Sequence, residues 1–343
     1  MSCSCSPHRA GASTQKNTPA GCGRTGSSLQ FSPPIATTKD REVYYLPTTI
    51  KNTGKRHSGS TEKMASTMAG QLENRVAMIT GAGRGIGVGI AGVLVSRGAA
   101  VAVCDLDGGT AQETAEAINA KGGKAIAGAV DVTDPGSLEH FAGRTISELG
   151  GIDICVPNAG VIGGPGFSER VDFTKQDWDM TFAVNVQGLT NTTEAVKEHM
   201  KAREQGKIVI IASHGGRKPR GIGDKGRGTA QQPYLVSKAA AIQFTHLLAI
   251  ELGSFNINVN AVCPGRLWTP MWEAIAINHK ELNPDYAELT PHEIFIDQIK
   301  KTMPLGRPQT PEDIGKTVAF LASDESSEIT GQAINVNGGA AMD

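Results

Sequence analysis

The chain has 343 residues, of which 39% are hydrophobic and 20% charged, enough apolar side chain for a packed core and too much for wholesale disorder. Gly supplies 42 residues, about 12% against an average of ~7%. Residues 1–63 carry nine Lys/Arg against three Asp/Glu and residues 64–343 carry 24 against 31, an acidic body that argues against nucleic acid as the main partner, because phosphate binding needs a basic face.

Residues 1–69 are expected to form a disordered N-terminal extension. They hold Ser, Thr, Gly, Pro and Lys in no apolar rhythm, so ordering them would cost more entropy than burial returns. No apolar core of a secretory signal is present, and Asp40 and Glu42 count against an acid-poor targeting peptide. Met64 and Met68 stand just before the first folded element, which also suits an over-extended start. No apolar stretch approaches the ~18 residues of a bilayer span, so no membrane is expected. Cys104, Cys155 and Cys263 sit far apart inside apolar runs without metal-ligand spacing, which reads as a reduced cytoplasmic protein with no metal.

From Leu72 onward, strands alternate with helices. Strands are predicted at 76–80, 100–106, 125–132, 152–156, 207–212, 257–262 and 333–336. Helices are predicted at 86–98, closed by Gly98, at 109–121 and at 135–149, where Asp134-Pro135 places an N-cap before Pro at the first helical position. A long helix runs from the Thr174–Asp177 capping-box spacing toward Met200, another spans 234–252, and a late one opens at Thr310-Pro311. Buried strands separated by helices imply an α/β fold, one doubly wound parallel sheet with helices on both faces, covering residues 70–343.

Two constellations carry chemistry. The first strand runs into Thr80-Gly81-Ala82-Gly83-Arg84-Gly85-Ile86-Gly87, and a helix follows. Glycines there let the backbone approach a pyrophosphate, whose charge the helix N-terminus favours. A Gly cluster alone is a weak signal; its context and Asp105, 24 residues beyond Gly81 at the end of the next strand, raise it. A carboxylate at that place accepts hydrogen bonds from adenosine ribose hydroxyls and repels a 2′-phosphate. Arg84 could serve a 2′-phosphate, but Asp105 outweighs it, so NAD is expected over NADP.

The second is Tyr234-Leu235-Val236-Ser237-Lys238. Residues four apart share a helix face, so Tyr234 and Lys238 can point into one cleft. A phenol near pKa ~10 must drop by about three units, roughly 4 kcal/mol, to take a proton near neutrality. A neighbouring ammonium works in that direction. By itself such a pair is usually a solvated face; following Ser213 at a strand end, it is far more specific.

With these motifs the chain resembles the short-chain dehydrogenase/reductase family in its compact, single-domain Rossmann-type form, across about residues 70–343. The match rests on residues 80–87, Asp105, Asp131-Val132, Asn158-Ala159-Gly160, Asn185, Ser213, Tyr234 with Lys238, Pro264-Gly265 and the terminal segment 331–339. The resemblance implies that Tyr234 is the general acid/base, that Ser213 holds the substrate oxygen, and that Lys238 binds the nicotinamide ribose and depresses the phenol pKa. Asn185 would hold a relay water and Asn158 support the sheet and ribose region. Gly81, Arg84, Gly85, Ile86 and Gly87 would meet the pyrophosphate, Asp131 and Val132 the adenine, and Ala159 and Gly160 the cofactor's path. After Pro264-Gly265, Leu267 and Thr269 would meet the carboxamide, although Thr269 before Pro270 is also a helix cap.

Two departures stand out. Pro157-Asn158 replaces the family's double Asn, and Ser213 lies 21 residues before Tyr234, a longer gap than usual. The extra residues include Arg217, Lys218, Arg220, Lys225 and Arg227 against Asp224, which reads either as a solvated loop or as a lid for an anionic or highly hydroxylated substrate. The resemblance implies an NAD-dependent oxidoreductase interconverting a secondary alcohol and a ketone. Thr269-Pro270-Met271-Trp272 resembles the substrate-loop start of polyol, acetoin and sugar-alcohol dehydrogenases. A 3-oxoacyl-thioester reductase and a catalytically silent NAD sensor are the alternatives. The apolar helix after Tyr234 implies a homotetramer, since family members pair such helices.

Overall fold

Short runs rich in Val, Ile and Ala favour the extended, doubly buried strand. The computed structural model describes residues 70–167, 173–218 and 232–342. Seven strands appear there: β1 (Val76–Thr80), β2 (Ala100–Asp105), β3 (Ala125–Ala129), β4 (Ile154–Val156), β5 (Gly206–Ile211), β6 (Ile257–Pro264) and β7 (Ala333–Val336). They form one sheet in the order β3-β2-β1-β4-β5-β6-β7, with every pairing parallel. The expected doubly wound sheet is therefore present. β1 is flanked by β2 on one side and β4 on the other, so the strand order reverses there, and a crevice opens at the carboxyl ends of those strands.

The helices are α1 (Gly85–Ser96), α2 (Gly108–Asn119), α3 (Pro135–Leu149), α4 (Lys175–Phe182), α5 (Gly188–Ala202), α6 (Gln232–Leu252), α7 (Pro270–Leu282), α8 (Pro291–Thr302) and α9 (Pro311–Leu321). Alternate residues of each strand serve opposite faces of the sheet. Ala77, Ile79, Val101 and Val103 join Ile90, Leu94, Ile314 and Val318 of α1 and α9 in one core layer. Met78, Ala102 and Cys104 join Leu138, Phe141, Val196, Leu248 and Leu252 of α3, α5 and α6 in the other.

The local signals hold in detail. Asp134 caps α3 by accepting from the Gly136 amide, Thr174 and Thr310 each close a capping box, and Gly98 has φ +99° after α1. Other elements differ from expectation, β4 among them, which starts at Ile154 and not at 152. β3 ends at Ala129, not at 132: the Val130 amide still donates to the Asp105 carbonyl, but the Asp131 amide turns to Ser137 Oγ of α3. The long helix toward Met200 is interrupted by a π-turn over Ala183–Gln187. Helices α7 and α8 add a third cluster at the crevice mouth. Their signal is in the sequence: Thr269-Pro270 and Thr290-Pro291 each set an N-cap before Pro, and Glu293 closes the second box. Contrary to the expectation that no apolar stretch approaches a bilayer span, the span Gln232–Phe255, which contains α6, is long and apolar enough by length and composition to cross a membrane. It lies against the sheet, with Ala241, Leu248, Ala249 and Leu252 buried.

Candidate active site

The crevice at the β1/β4 switch point is a cleft of about 570 Å³. Its first wall is the glycine loop between β1 and α1. Gly81 and Gly85 take φ +62° and +59°, a region that L side chains avoid. A Cβ on Gly81 would lie 2.7 Å from the Ala159 Cα, and one on Gly87 2.4 Å from the Gly81 carbonyl oxygen. Arg84 occupies the N-cap of α1 without a side-chain cap, so the first-turn amides of that helix face the cleft unsatisfied by the cap residue. Ile86 packs at the edge of the core beneath them.

Asn158 pins this loop. Its Nδ2 donates to the carbonyls of Thr80 (2.9 Å) and Gly81 (2.8 Å), while the amides of Asn158 and Ala159 donate to Thr80 Oγ1. Asp105, buried at the end of β2, accepts from the Gly83 amide through Oδ2 (3.0 Å) and from the Asp107 amide through Oδ1 (3.3 Å). Each of its oxygens keeps a second lone pair for another donor. Asp131 and Val132 follow β3 on the same side, and Asp131 Oδ1 accepts from the amide and hydroxyl of Thr133.

The opposite end holds Ser213, Tyr234 and Lys238. Ser213 follows β5, and its Oγ accepts from the Gly215 amide at 3.1 Å. Lys238 is buried in α6, with Nζ donating to the Ile211 carbonyl at 2.7 Å and lying 5.8 Å from the Tyr234 ring centroid. Burial pulls its pKa from 10.5 down to about 8, against a smaller upward pull from Cys263. Asn185 sits in the π-turn, a widened turn that often marks functional sites. Its Oδ1 accepts from the Val161 amide, and its Nδ2 donates to the Val161 carbonyl and to Ser237 Oγ. Both amide protons are thereby committed, so only the remaining Oδ1 lone pair is left for a water. A Cβ on Gly160 would lie 3.2 Å from Asn185 Oδ1 and 3.5 Å from Lys238 Nζ, which explains a glycine at that point.

Pro264, Gly265, Leu267 and Thr269 form the remaining wall. The Gly265 amide donates to the Val336 carbonyl and to Gln309 Oε1, tying the end of β6 to β7. Thr269 Oγ1 caps α7 by accepting from the Trp272 amide at 3.3 Å, and its methyl faces Gly85. The cap is thus present, and the same residue lines the cleft.

The family model described as enoyl-(acyl carrier protein) reductase matches residues 81–341. Oxidoreductase UcpA of Salmonella typhimurium is 36% identical over 273 residues, covering 80% of this chain and 97% of that protein. The chain belongs to the short-chain dehydrogenase/reductase family. Among solved structures, a levodione reductase superposes with a TM-score of 0.68 at 30% identity, covering 78% of this chain and 98% of the other. An NAD+-bound xylitol dehydrogenase does so with a TM-score of 0.69 at 28% identity, covering 78% and 100%.

The nicotinamide dinucleotide that this family uses fits the residues present. The glycine loop leaves no room for a Cβ at Gly81, Gly83 or Gly87, the open N-terminus of α1 suits a pyrophosphate, and a buried carboxylate stands at the end of β2. The sequence reading missed Ile162, Phe167 and Ile275, which line the cleft alongside Met271 and Trp272. Nothing in their local pattern separates them from core, because they reach one surface only when the β4 end and α7 come together. Of the basic insertion, Arg217 donates to the Ala333 carbonyl on β7 and does not line the cleft. Arg220, Asp224, Lys225 and Arg227 lie outside the described residues, as does most of the expected lid.

Proposed function

We propose that this short-chain dehydrogenase/reductase is an NAD-dependent oxidoreductase that interconverts a secondary alcohol and a ketone. The observation that carries this reading is the meeting of Tyr234, buried Lys238 and Ser213 in one cleft at the sheet's switch point. When bound, the nicotinamide supplies the two-electron acceptor or donor. Tyr234 Oη takes the proton from the alcohol oxygen during oxidation and returns it during reduction. Ser213 Oγ donates a hydrogen bond to that oxygen and fixes its position. Lys238 Nζ, charged below about pH 8, holds the ribose hydroxyls and favours the phenolate. Asn185 positions the Val161 backbone and Ser237 behind Lys238, and its free lone pair can take a relay water.

Asp105 supports NAD over NADP, since a 2′-phosphate would meet its charge. A solved polyol dehydrogenase among the similar structures keeps polyols and sugar alcohols in the assay beside other hydroxy compounds. A 3-oxoacyl-thioester reductase is the second reading. It would draw on NADPH, and Arg84, exposed beside the glycine loop, is the residue that favours it. Cys104, Cys155 and Cys263 are buried and form no disulfide among the described residues, which supports a reducing compartment, the cytoplasm. Residues 1–69 stand outside the enzyme unit in this reading, and the working assembly is a homotetramer. The deciding experiment is a panel of secondary alcohols with NAD and with NADP, read at the reduced nicotinamide absorbance. Faster turnover with NADP and acyl-thioesters would replace the first reading by the second.

A further inference from the structure

The charged residues lining the cleft among the described residues are Arg84, Asp105, Asp131 and Lys238. All belong to the part assigned above to the dinucleotide: the glycine loop, the ends of β2 and β3, and the buried ammonium on α6. The wall beyond Tyr234 is of another kind. Ile162, Phe167, Trp272 and Ile275 are buried in one apolar cluster, and Met271 and Tyr234 pack against it. These side chains offer hydrophobic surface and hardly any hydrogen-bonding capacity. Within that part of the lining, the Gly164 amide is already engaged, donating to Asp177 Oδ1 at 2.7 Å.

The wall is also held rigidly. The Trp272 ring stands 5.2 Å from Phe295 and 6.4 Å from His279, centroid to centroid. Arg266, buried and outside the cleft lining, stacks its guanidinium 5.3 Å from the Trp272 ring centroid and donates to the Gln298 carbonyl of α8 at 2.8 Å. The indole is thereby clamped between α8 and a guanidinium before any ligand arrives, so little side-chain entropy is lost on binding.

We infer that the substrate is a secondary alcohol or ketone borne by an apolar ring, packed against Trp272 and Phe167, and that polyols are poor substrates. The inference rests on the oxidoreductase reading above for the reacting oxygen, and on the wall alone for the ring. An apolar ring gains by leaving water for this surface. A polyol would turn several hydroxyls toward indole, phenyl and aliphatic groups, and each hydroxyl would lose its water partners unreplaced. Arg266 is a positioning residue for this wall.

The test compares a methyl-substituted cyclohexanol and 4-phenyl-2-butanol with xylitol and sorbitol, using the full-length enzyme and NAD. The expected kcat/KM favours the ring alcohols by about 100-fold or more. Trp272→Ala should raise KM for them about tenfold or more, with kcat and NADH affinity within about twofold, whereas Trp272→Phe should keep KM near wild type. Arg266→Met should raise the same KM while leaving NADH binding intact. Calorimetric titration of the ring alcohols into the NADH complex, a dead-end state, reads the wall without turnover. Polyols equal to or better than ring alcohols, or a KM unmoved by Trp272→Ala, would overturn the inference. If no alcohol is oxidised but the ring alcohols bind in a Trp272-dependent way, the oxidoreductase reading fails and the wall stands. If they do not bind at all, the wall inference fails.

Discussion

Replacing Tyr234 by Phe keeps the ring packed against the apolar wall and deletes only the hydroxyl, so kcat should fall ~10²–10⁴-fold while NADH still binds. A near-normal kcat would assign the proton transfer to another group. Asp105→Ala removes the acceptor of the Gly83 and Asp107 amides together with the charge that opposes a 2′-phosphate, so the preference for NAD should shrink by a few kcal/mol at most. Wild-type enzyme that turns over NADP faster than NAD would defeat that claim. Lys238 adds a stability signature. Its folded pKa of about 8 lies below the unfolded 10.5, so between these values the unfolded chain binds the extra proton and stability rises with pH. Below pH 8 both states are charged, and the full cost of burial, roughly 3 kcal/mol, persists. The unfolding free energy of wild type relative to Lys238→Met should therefore climb from pH 8 to 10.5. Denaturant titrations showing a flat difference across that window would refute the assignment.

Among the elements, α1 gives a paired test of glycine. A Cβ on Gly89 would come 2.3 Å from the Pro311 Cβ and 2.6 Å from its carbonyl carbon, because α1 and α9 pack backbone to backbone there. Gly89→Ala should cost about 1–3 kcal/mol through overpacking. A Cβ on Gly92, in the same helix and exposed, would meet nothing within 4 Å, so Gly92→Ala should gain about 0.5–1 kcal/mol from helix propensity. Thermal melts of the two variants moving in the same direction would contradict the packing described. Most element types were legible because capping and burial patterns are local: Asp134, Thr174 and Thr310 cap where their spacing says. The π-turn at Ala183–Gln187 was not, since it arises where Asn185 is drawn to Val161 and Ser237, residues distant in sequence.

On the whole-molecule scale, α6 both feeds the active site and leaves an apolar outer stripe: Val236, Leu247 and Ile250 are 48%, 57% and 80% exposed. Burying such a stripe against a second copy removes it from water, as the homotetramer reading expects. Light scattering at micromolar concentration should give a tetrameric mass, and a monomer would contradict it. A chain starting at Met64 should fold and turn over alcohol like the full-length protein, because its glycine loop, sheet and cleft all lie beyond that point. Failure of that chain to fold would show that residues 1–63 are integral.

What the sequence by itself determined is whatever depends on spacing along the chain. The glycine loop with Asp105, the Tyr234–Lys238 pair on one helix face, and the alternation that builds a doubly wound sheet all follow from short-range geometry. Asn158 was expected as a support from the family resemblance rather than from spacing, and it stands where the fourth strand ends beside the first. Only the tertiary structure decided the rest. Burial moves the Lys238 pKa, and burial is set by packing from β5 and β6 rather than by its neighbours in sequence. The apolar wall unites Ile162 and Phe167 with Trp272 and Ile275, over a hundred residues apart in the chain, around an arginine stacked on an indole. Hydrophobic contact is non-directional and carries no periodic signature between segments, so which apolar residues face a ligand rather than the core is known only once the chain has folded.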